Sequence, residues 1–483
     1  MYPQVREESD ICGMERIKLQ ANFEGAFGDK RIDDRANAIL GRLVLGRDSS
    51  IQKISGNSAE RKAFYRLLDN EKFSEENIEK SIIKRSGELC DGRHVLCIQD
   101  TSEINLEAHR GRIKPGSGVG RTAKGGILGF LLHPCLVVDA GQGTALGYSY
   151  INVWHRHDDG MNRHERKYKD QAIEEKESFK WIEATAQSRE LLSKARLITM
   201  IADREADIYD LFGRYTGDDK VKLVVRSNSN RLIGKGGPKI IEHLSAQPVK
   251  HRYPITLYGD MSRGIAKRKA ELEVKWTEVE LSKPHSCNDK SLTRTARVTV
   301  IEAKEKGKDG ICWRLYTTHE VTTAEQAMQV IEWYTERWYI EQVFRVLKLQ
   351  GFKIESSQLE SGWAIRKLVM LALLAALKVM QMLIAYEEDS EQPLNEVFSD
   401  EEQQCLEQVN KTAEGKTDKL CNPYRPKTLK WATWIIARLG GWKGYTSQRK
   451  PGPILLHRGL TKFYNLFEGW LLAKNFFKDV GTQ

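Results

Sequence analysis

The sequence predicts an α/β protein, in which a central α/β domain carries a β-rich insertion and has all-helical segments on both sides. Three observations indicate this class. Helical periodicity begins near residue 30, short β-rich runs mixed with a helical stretch follow from about residue 90, and helical patterns return at Thr323. With 483 residues, the chain is also too long for one compact core, so several domains are expected.

Composition excludes a disordered chain and an exported one. Hydrophobic residues make up 40% and charged residues 29%, which is ordinary for a globular protein. Residues 1–10 lack the apolar core of a secretory signal. The most apolar stretch, 368–377, is about half of the roughly 20 residues that span a bilayer, so we expect a buried core helix and no membrane partner.

The cysteines are scattered, without C-x-x-C pairs or spacings suited to zinc. We interpret them as reduced, mostly buried thiols of a cytoplasmic protein. They are Cys12, Cys90, Cys97, Cys135, Cys287, Cys312, Cys405 and Cys421.

Charge is distributed unevenly along the chain, whose net charge is +10. Residues 387–410 hold nine acidic and no basic side chains, whereas residues 411–483 hold fourteen Lys and Arg against four Asp and Glu. A basic surface favours a polyanionic partner, because neutralised phosphates release condensed counterions. A solvated basic surface is the alternative.

The N-terminal segment predicts two or three short helices. Apolar periodicity indicates a helix over about 30–45, and Asn57 or Ser58 can cap a second one through Leu68. Short helices joined by tight turns are typical of a helical DNA-binding module. The polar side of the second helix carries Arg61, Lys62, Tyr65 and Arg66.

The middle of the chain predicts strands around one long helix, at about 174–192. Residues 222–318 read as strands almost throughout, which indicates a β-rich insertion over about 215–320. The earlier predicted strands are 95–98, 127–132, 135–138, 146–153 and 197–201.

Two aspartates end predicted strands of the α/β domain. Asp100 follows Val95–Gln99 and Asp203 follows Leu197–Ala202. Side chains emerge into a cleft at the carboxyl ends of such strands, so the two carboxylates can face each other. Each alone could instead be a turn or helix cap.

One continuous helix is predicted from Thr323 to Leu349, with a capping box between Thr323 and Gln326. At about 100° per residue, one carboxylate, three cations and a phenol fall within an arc of roughly 80°, bordered by Trp338. A solvated, ion-paired face is the alternative. The residues of the arc are Tyr334, Arg337, Glu341, Arg345 and Lys348.

Such groups suit metal-dependent phosphodiester chemistry. Mg²⁺ prefers oxygen ligands, and two ions about 3.5 to 4 Å apart can activate an attacking hydroxyl and stabilise the leaving oxygen. Asp100, Asp203 and Glu341 would supply the carboxylates, while Arg337 and Lys348 would pair with phosphates near the scissile bond.

At these residues the sequence resembles the bacterial DDE cut-and-paste transposases of the insertion sequence four family. The signature is Tyr334-x-x-Arg337-x-x-x-Glu341, with Lys348 after six further residues. Supporting segments occur in family order. They are 100–101, 175–181, 203–208, 224–227 and 436–441.

The resemblance implies a ribonuclease H-like catalytic core that contains the β-rich insertion. It also implies an N-terminal helical domain that binds transposon ends and a helical C-terminal domain for dimerisation. The boundaries expected here are 1–75, 76–385 and 386–483. The implied partners are transposon-end duplex and target DNA, bound by a homodimer.

The family's chemistry implies nicking of each transposon end, hairpin formation, hairpin opening and strand transfer. Two Mg²⁺ ions are expected, with Mn²⁺ able to substitute, and no small-molecule cofactor. A flipped base would stack on Trp313 and Trp338, while Tyr334, Arg337 and Lys348 hold the adjacent phosphate. A core role is the alternative for Trp313, which lies on a predicted strand. Further DNA contacts are expected at Arg31, Arg35, Arg226 and Arg345.

The Gly-rich basic loop at 110–124 departs from the family pattern. Two other functions stay open: a ribonuclease H-like nuclease that does not join strands, and a domesticated DNA-binding protein that no longer cleaves.

Overall fold

The computed structural model describes residues 16–122, 126–156, 171–234, 236–257, 267–307, 310–348, 351–445 and 449–480. The chain forms two compact units by internal contact. The first unit contains Met1–Leu89, Thr101–Asp158 and Tyr339–Gln483, and the second contains Cys90–Asp100 and Asp159–Trp338.

The first unit opens with the predicted helices. Asp29 caps α1 (Lys30–Gly46) by accepting a hydrogen bond from the backbone N–H of Arg31. The Asn57 side chain caps α3 in the same way, through Glu60 N–H. The remaining helices of this segment complete the set: α2 is Ile51–Ile54, α3 is Ser58–Leu68 and α4 is Glu75–Leu89.

The strands of this unit are arranged around β4. They are β2 (Ser102–Asn105), β3 (Gly120–Arg121), β4 (Leu128–Asp139) and β5 (Thr144–Trp154), and β4 pairs antiparallel with each of the others. The prediction of two strands at 127–132 and 135–138 is wrong, because β4 continues through Pro134. A register shift in the pairing with β5 follows Cys135, so the proline lies beside an irregularity of the strand, where a missing N–H donor is tolerated.

The predicted core helix is confirmed as part of α10, Gly362–Glu387. This helix is long and apolar enough to cross a membrane, yet its apolar window is completely buried by protein. Its Lys378 forms a buried ion pair of 2.7 Å with Glu402, which explains how a charge is accommodated inside the core. The later helices are α11 (Asp400–Ala413), α12 (Leu429–Leu439) and α13 (Pro453–Val480).

The second unit is built on a mixed sheet with strand order β1-β6-β7-β11-β10-β9-β8. The first three strands are parallel and the others pair antiparallel. The strands are β1 (His94–Gln99), β6 (Leu197–Ala202), β7 (Val221–Arg226), β8 (His251–Leu257), β9 (Arg268–Ser282), β10 (Thr295–Glu305) and β11 (Cys312–Thr317).

Two helices in this unit differ from expectation: one begins later than predicted, and one was not predicted. The predicted helix at 174–192 begins later, as α5 over Phe179–Leu191, after a single 3₁₀ turn at Ile173–Glu175. The block predicted as strands contains a short helix, α7 (Ile240–Ala246), whose C-terminal carbonyls at Leu244 and Ser245 accept hydrogen bonds from Lys275. The other helices are α6 (Tyr209–Tyr215) and α8 (Ala324–Thr335).

Candidate active site

The candidate aspartates lie at the same end of two adjacent parallel strands. The register of β1 and β6 pairs Ile98 with Ile201, and Asp100 and Asp203 each follow that pair by two residues. Asp203 keeps an extended backbone (φ −82°, ψ −174°), which continues the line of β6 beyond its last paired residue. Neighbouring strands are about 4.8 Å apart, so the two aspartates follow strand ends that lie close together.

Arg226 extends this row onto the third strand. The register of β6 and β7 pairs Ala202 with Val225, and Asp203 and Arg226 are the next residues of the two segments. Two carboxylates and one guanidinium thus occupy one edge of the sheet. The charge of Arg226 opposes the effect that Asp203 has on the pKa of Tyr334, which places all three groups within electrostatic reach of one another.

The Asp100 carboxylate pairs with Arg337, whose Nη1 lies 2.8 Å from Oδ2. The two side chains are only 15% and 23% exposed, so solvent screens this pair less than a surface pair. The Tyr334 hydroxyl is positioned to donate to Asp203 Oδ1 at 3.4 Å. Burial and the Asp203 charge raise the pKa of Tyr334, so its phenol keeps its proton and acts as a donor.

The single helix predicted from Thr323 to Leu349 is wrong. The structure has α8 ending at Thr335 and a second helix, α9 (Trp338–Leu347), after a turn at Glu336 and Arg337. The turn is tightened by a bond from Arg337 N–H to Tyr334 C=O, and the Thr335 hydroxyl bonds back to the Glu332 carbonyl at 2.7 Å. An arc calculated for one continuous helix therefore does not describe these residues.

The helix α9 carries the remaining residues of the signature. Glu341 lies in its first turn and is exposed, as is Arg345, while its other face is buried. Lys348 follows the helix and is half-buried, 3.9 Å from Glu355. Burial lowers the pKa of Lys348, and the charges of Glu355 and Glu103 oppose that shift. The buried face consists of Tyr339, Ile340, Val343, Phe344, Val346 and Leu347.

The two candidate base-stacking tryptophans are both half-buried. Trp313 lies on β11 opposite Ala303, and Trp338 is the first residue of α9. Partial exposure leaves ring surface for a ligand at each position.

The donor chemistry at the sheet edge suits a hard divalent cation, since carboxylate oxygens are the ligands that Mg²⁺ prefers. Among the described residues, no group of three Asp, Glu, His or Cys side chains is close enough together to form a metal site. The guanidinium of Arg337 instead supplies the positive charge beside Asp100.

A polar cluster behind α8 had no sequence signal, because its members are far apart in the chain. The Thr199 hydroxyl lies 2.8 Å from Nε2 of His94 and 2.8 Å from Nε2 of His319. Both imidazoles pack against Trp333, with ring centroids 5.0 and 4.8 Å away. Trp333 precedes Tyr334, so this cluster supports the part of α8 that reaches Asp203.

The N-terminal candidate residues lie on α1 and α3. Arg31, Arg35, Lys62 and Arg66 are exposed, whereas Arg61 and Tyr65 are half-buried. Arg31 forms an ion pair of 3.2 Å with Asp29, and Arg61 donates to the Ser58 hydroxyl at 3.3 Å.

Arg35 borders two clefts, which have volumes of about 890 and 480 Å³. They add four cations that the sequence did not single out: Lys30, Lys84 and Arg85 in the larger cleft, and Lys72 in the smaller one.

Comparison with known families gives two matches. A model described as a transposase DDE domain matches residues 100–378, which is more than half of the chain. A model described as a transposase DNA-binding domain matches residues 19–73. The first match begins at Asp100 and includes Asp203, Tyr334, Arg337 and Glu341.

Proposed function

Because this chain belongs to the transposase family that is defined by a DDE domain, we propose that Asp100, Asp203 and Glu341 are its catalytic and metal-binding carboxylates. The enzyme depends on divalent metal, cleaves DNA and transfers strands. A domain of this family implies a ribonuclease H-like fold, in keeping with the mixed sheet of the second unit. The finer assignment, an insertion sequence four transposase that cuts and pastes through hairpin intermediates, belongs to the proposal.

The assignment of the first two carboxylates is carried by the position of Asp100 and Asp203 at the same end of the adjacent parallel strands β1 and β6. Their backbones continue two hydrogen-bonded strands, so the spacing of the carboxylates is set by the sheet and changes little when ligands bind. Glu341 is the third member on the strength of the Tyr334, Arg337, Glu341, Lys348 spacing. Two Mg²⁺ ions, or Mn²⁺, would activate the attacking oxygen and stabilise the leaving oxygen.

The cations and the phenol have distinct roles in this proposal. Arg337 holds the Asp100 carboxylate in place before DNA arrives, and its forked guanidinium then binds a phosphate oxygen. Tyr334 keeps its proton and donates it in a hydrogen bond to Asp203 or to phosphate. Lys348 and Arg345 neutralise neighbouring phosphates, while Arg226 contributes charge at the edge of the sheet.

Trp338 and Trp313 would take up a base that leaves the duplex during hairpin formation. Extruding a base costs stacking energy, and stacking on an aromatic ring returns about 1 to 3 kcal/mol. Both rings are half-buried, so each can be held by protein on one part and offer another part to a base.

The DNA partner follows from the second family match, since residues 19–73 form a transposase DNA-binding domain. We assign recognition of the transposon-end duplex to this module, through Arg31, Arg35, Arg61, Lys62, Tyr65 and Arg66. We further propose that the enzyme acts on target DNA in the bacterial cytoplasm. Its domains would be residues 1–75, 76–385 and 386–483, and the last of these would join two copies into a homodimer.

A strand-transfer reaction tests it. The purified chain is incubated with Mg²⁺, a supercoiled target plasmid and a duplex that carries the inverted repeat flanking its reading frame. Hairpin ends and joined plasmid products are expected. Cleavage without joining would identify a nuclease, and binding without cleavage would identify a domesticated DNA-binding protein.

A further inference from the structure

We propose that Trp363 and the basic loop 110–122 form a docking surface for the transposon-end duplex next to Lys348. This inference rests on the proposed function, because it takes Lys348 as a residue that holds end DNA. All residues concerned belong to the first unit.

The loop is built tightly onto the start of α10. Backbone N–H groups of Trp363 and Gly362 donate to the carbonyl and hydroxyl oxygens of Ser117, at 2.6 and 3.0 Å. Lys114 N–H donates to the Glu360 carbonyl at 2.9 Å. Gly118 has φ +85°, and a Cβ there would lie 2.5 Å from Trp363 Cδ2, so only glycine fits against the indole.

The indole is fixed although it is 45% exposed. The guanidinium of Arg366 lies 4.6 Å from its centroid, and Arg366 is itself held by Glu75 at 2.6 Å. The His155 ring packs edge-on, with centroids 6.3 Å apart. A large apolar side chain that is both ordered and exposed is typical of a contact surface. Its conformational entropy is already lost in the free protein, so binding a partner does not have to order it.

The surface is continuous with Lys348. That lysine pairs with Glu355, whose carbonyl lies 2.9 Å from Nε2 of His109 at the start of the loop. Arg112 then donates to the Ser357 carbonyl at 2.6 Å. Loop and site residue are thus joined through the segment 355–357, and a duplex held at Lys348 has the loop beside it.

The charges of the loop match a phosphate backbone. Arg110, Lys114 and Arg121 are exposed or partly exposed cations. The pair of Lys114 with Glu360 spans 3.7 Å, and both side chains are at least 60% exposed. Such a pair contributes little in water, so the lysine can exchange its carboxylate for a phosphate. An exposed indole among cations is the combination with which proteins hold or wedge DNA bases.

The test uses variants Trp363→Ala, Trp363→Phe and Lys114→Gln, with Leu232→Ala and Lys194→Gln as exposed controls in the second unit. Affinity for the inverted-repeat duplex is measured by fluorescence anisotropy between 50 and 200 mM salt. We expect Trp363→Ala to lose about tenfold in affinity and Trp363→Phe to keep most of it. Lys114→Gln should lower the salt slope by about 0.9, as one phosphate contact is removed.

Two outcomes would overturn the inference. One is that Trp363→Ala and Lys114→Gln bind end duplex as tightly as the controls. The other is a defect confined to joining of pre-cleaved ends, which would assign the surface to target DNA. Unfolding midpoints of Trp363→Ala and Trp363→Phe that match the wild type keep the comparison valid, and Lys114→Gln removes only an exposed group. Failure of the wild-type chain to bind or cleave end duplex would refute the proposed function instead.

Discussion

The Arg337 guanidinium lies 2.8 Å from the Asp100 carboxylate, at the turn between α8 and α9. Under the proposed function, this contact joins a phosphate-binding group to a metal-binding one. We therefore expect Arg337 to compete with metal for Asp100 in the absence of DNA and to release the carboxylate when a phosphate binds the guanidinium.

Arg337→Ala is expected to separate metal binding from DNA binding. Removing a competing cation should lower the Mg²⁺ concentration for half-maximal cleavage, while affinity for end duplex falls about tenfold with the lost phosphate contact. Metal titrations of single-turnover cleavage and anisotropy at fixed salt measure the two effects. Arg345→Ala is the comparison variant, because it removes an exposed arginine of α9 that does not pair with Asp100. If Arg337→Ala weakens both metal binding and DNA binding, Arg337 does not compete with metal.

Glu341→Gln is expected to abolish cleavage and to leave end binding largely intact. Glu341 is exposed on the first turn of α9, so the substitution creates no cavity and removes only the carboxylate charge. Glu332→Gln on α8 is a matched control, also exposed and helical. A gel shift that disappears together with cleavage would show that Glu341 acts on DNA binding rather than on chemistry.

Trp338→Ala is expected to impair hairpin formation more than first-strand nicking. The substitution removes a stacking interaction of about 1 to 3 kcal/mol between the flipped base and the indole. Only the hairpin step requires the base to leave the duplex, so the loss should fall on that step. Time courses on end duplex labelled on each strand measure the steps separately. Trp338→Phe should recover part of the hairpin rate, and equal defects in both steps would argue against base flipping.

Protein stability is expected to fall on acidification through His457. Burial, with Arg47 and Lys353 nearby, lowers the pKa of this imidazole to about 2 from the ordinary 6.5. Below pH 6.5 this histidine is therefore protonated in the unfolded chain and neutral in the folded chain. The free energy of unfolding then falls by about 1.4 kcal/mol for each unit by which the pH is lowered. Its Nε2 has no hydrogen-bond partner among the residues that the structure describes, and its ring packs on Phe352, so Phe can replace it.

The measurement is the unfolding free energy of wild type and His457→Phe between pH 7 and pH 5. The variant should show the smaller slope, whereas His285→Gln, an exposed position, should follow the wild type. Identical slopes for all three proteins would mean that His457 is protonated in the folded state.

The sequence by itself determined the elements whose signals are local. Period and capping located α1, α3 and β6 closely, and it was the end of a strand that marked Asp100 and Asp203. The spacing from Tyr334 to Lys348 pointed to the DDE transposases, and the match over residues 100–378 assigns the chain to that broader family.

Tertiary structure decided what depends on contacts between remote segments. The alignment of Arg226 with Asp203 follows from strand register, and the packing of His94 and His319 on Trp333 from the meeting of distant segments. The break at Glu336 and Arg337 was invisible to a pattern that assumes constant rotation per residue, because the Thr335 hydroxyl and the shorter Arg337 bond change that rotation locally. Hydrophobic periodicity records which side of an element is buried, whereas which charges meet is fixed only when the chain has folded.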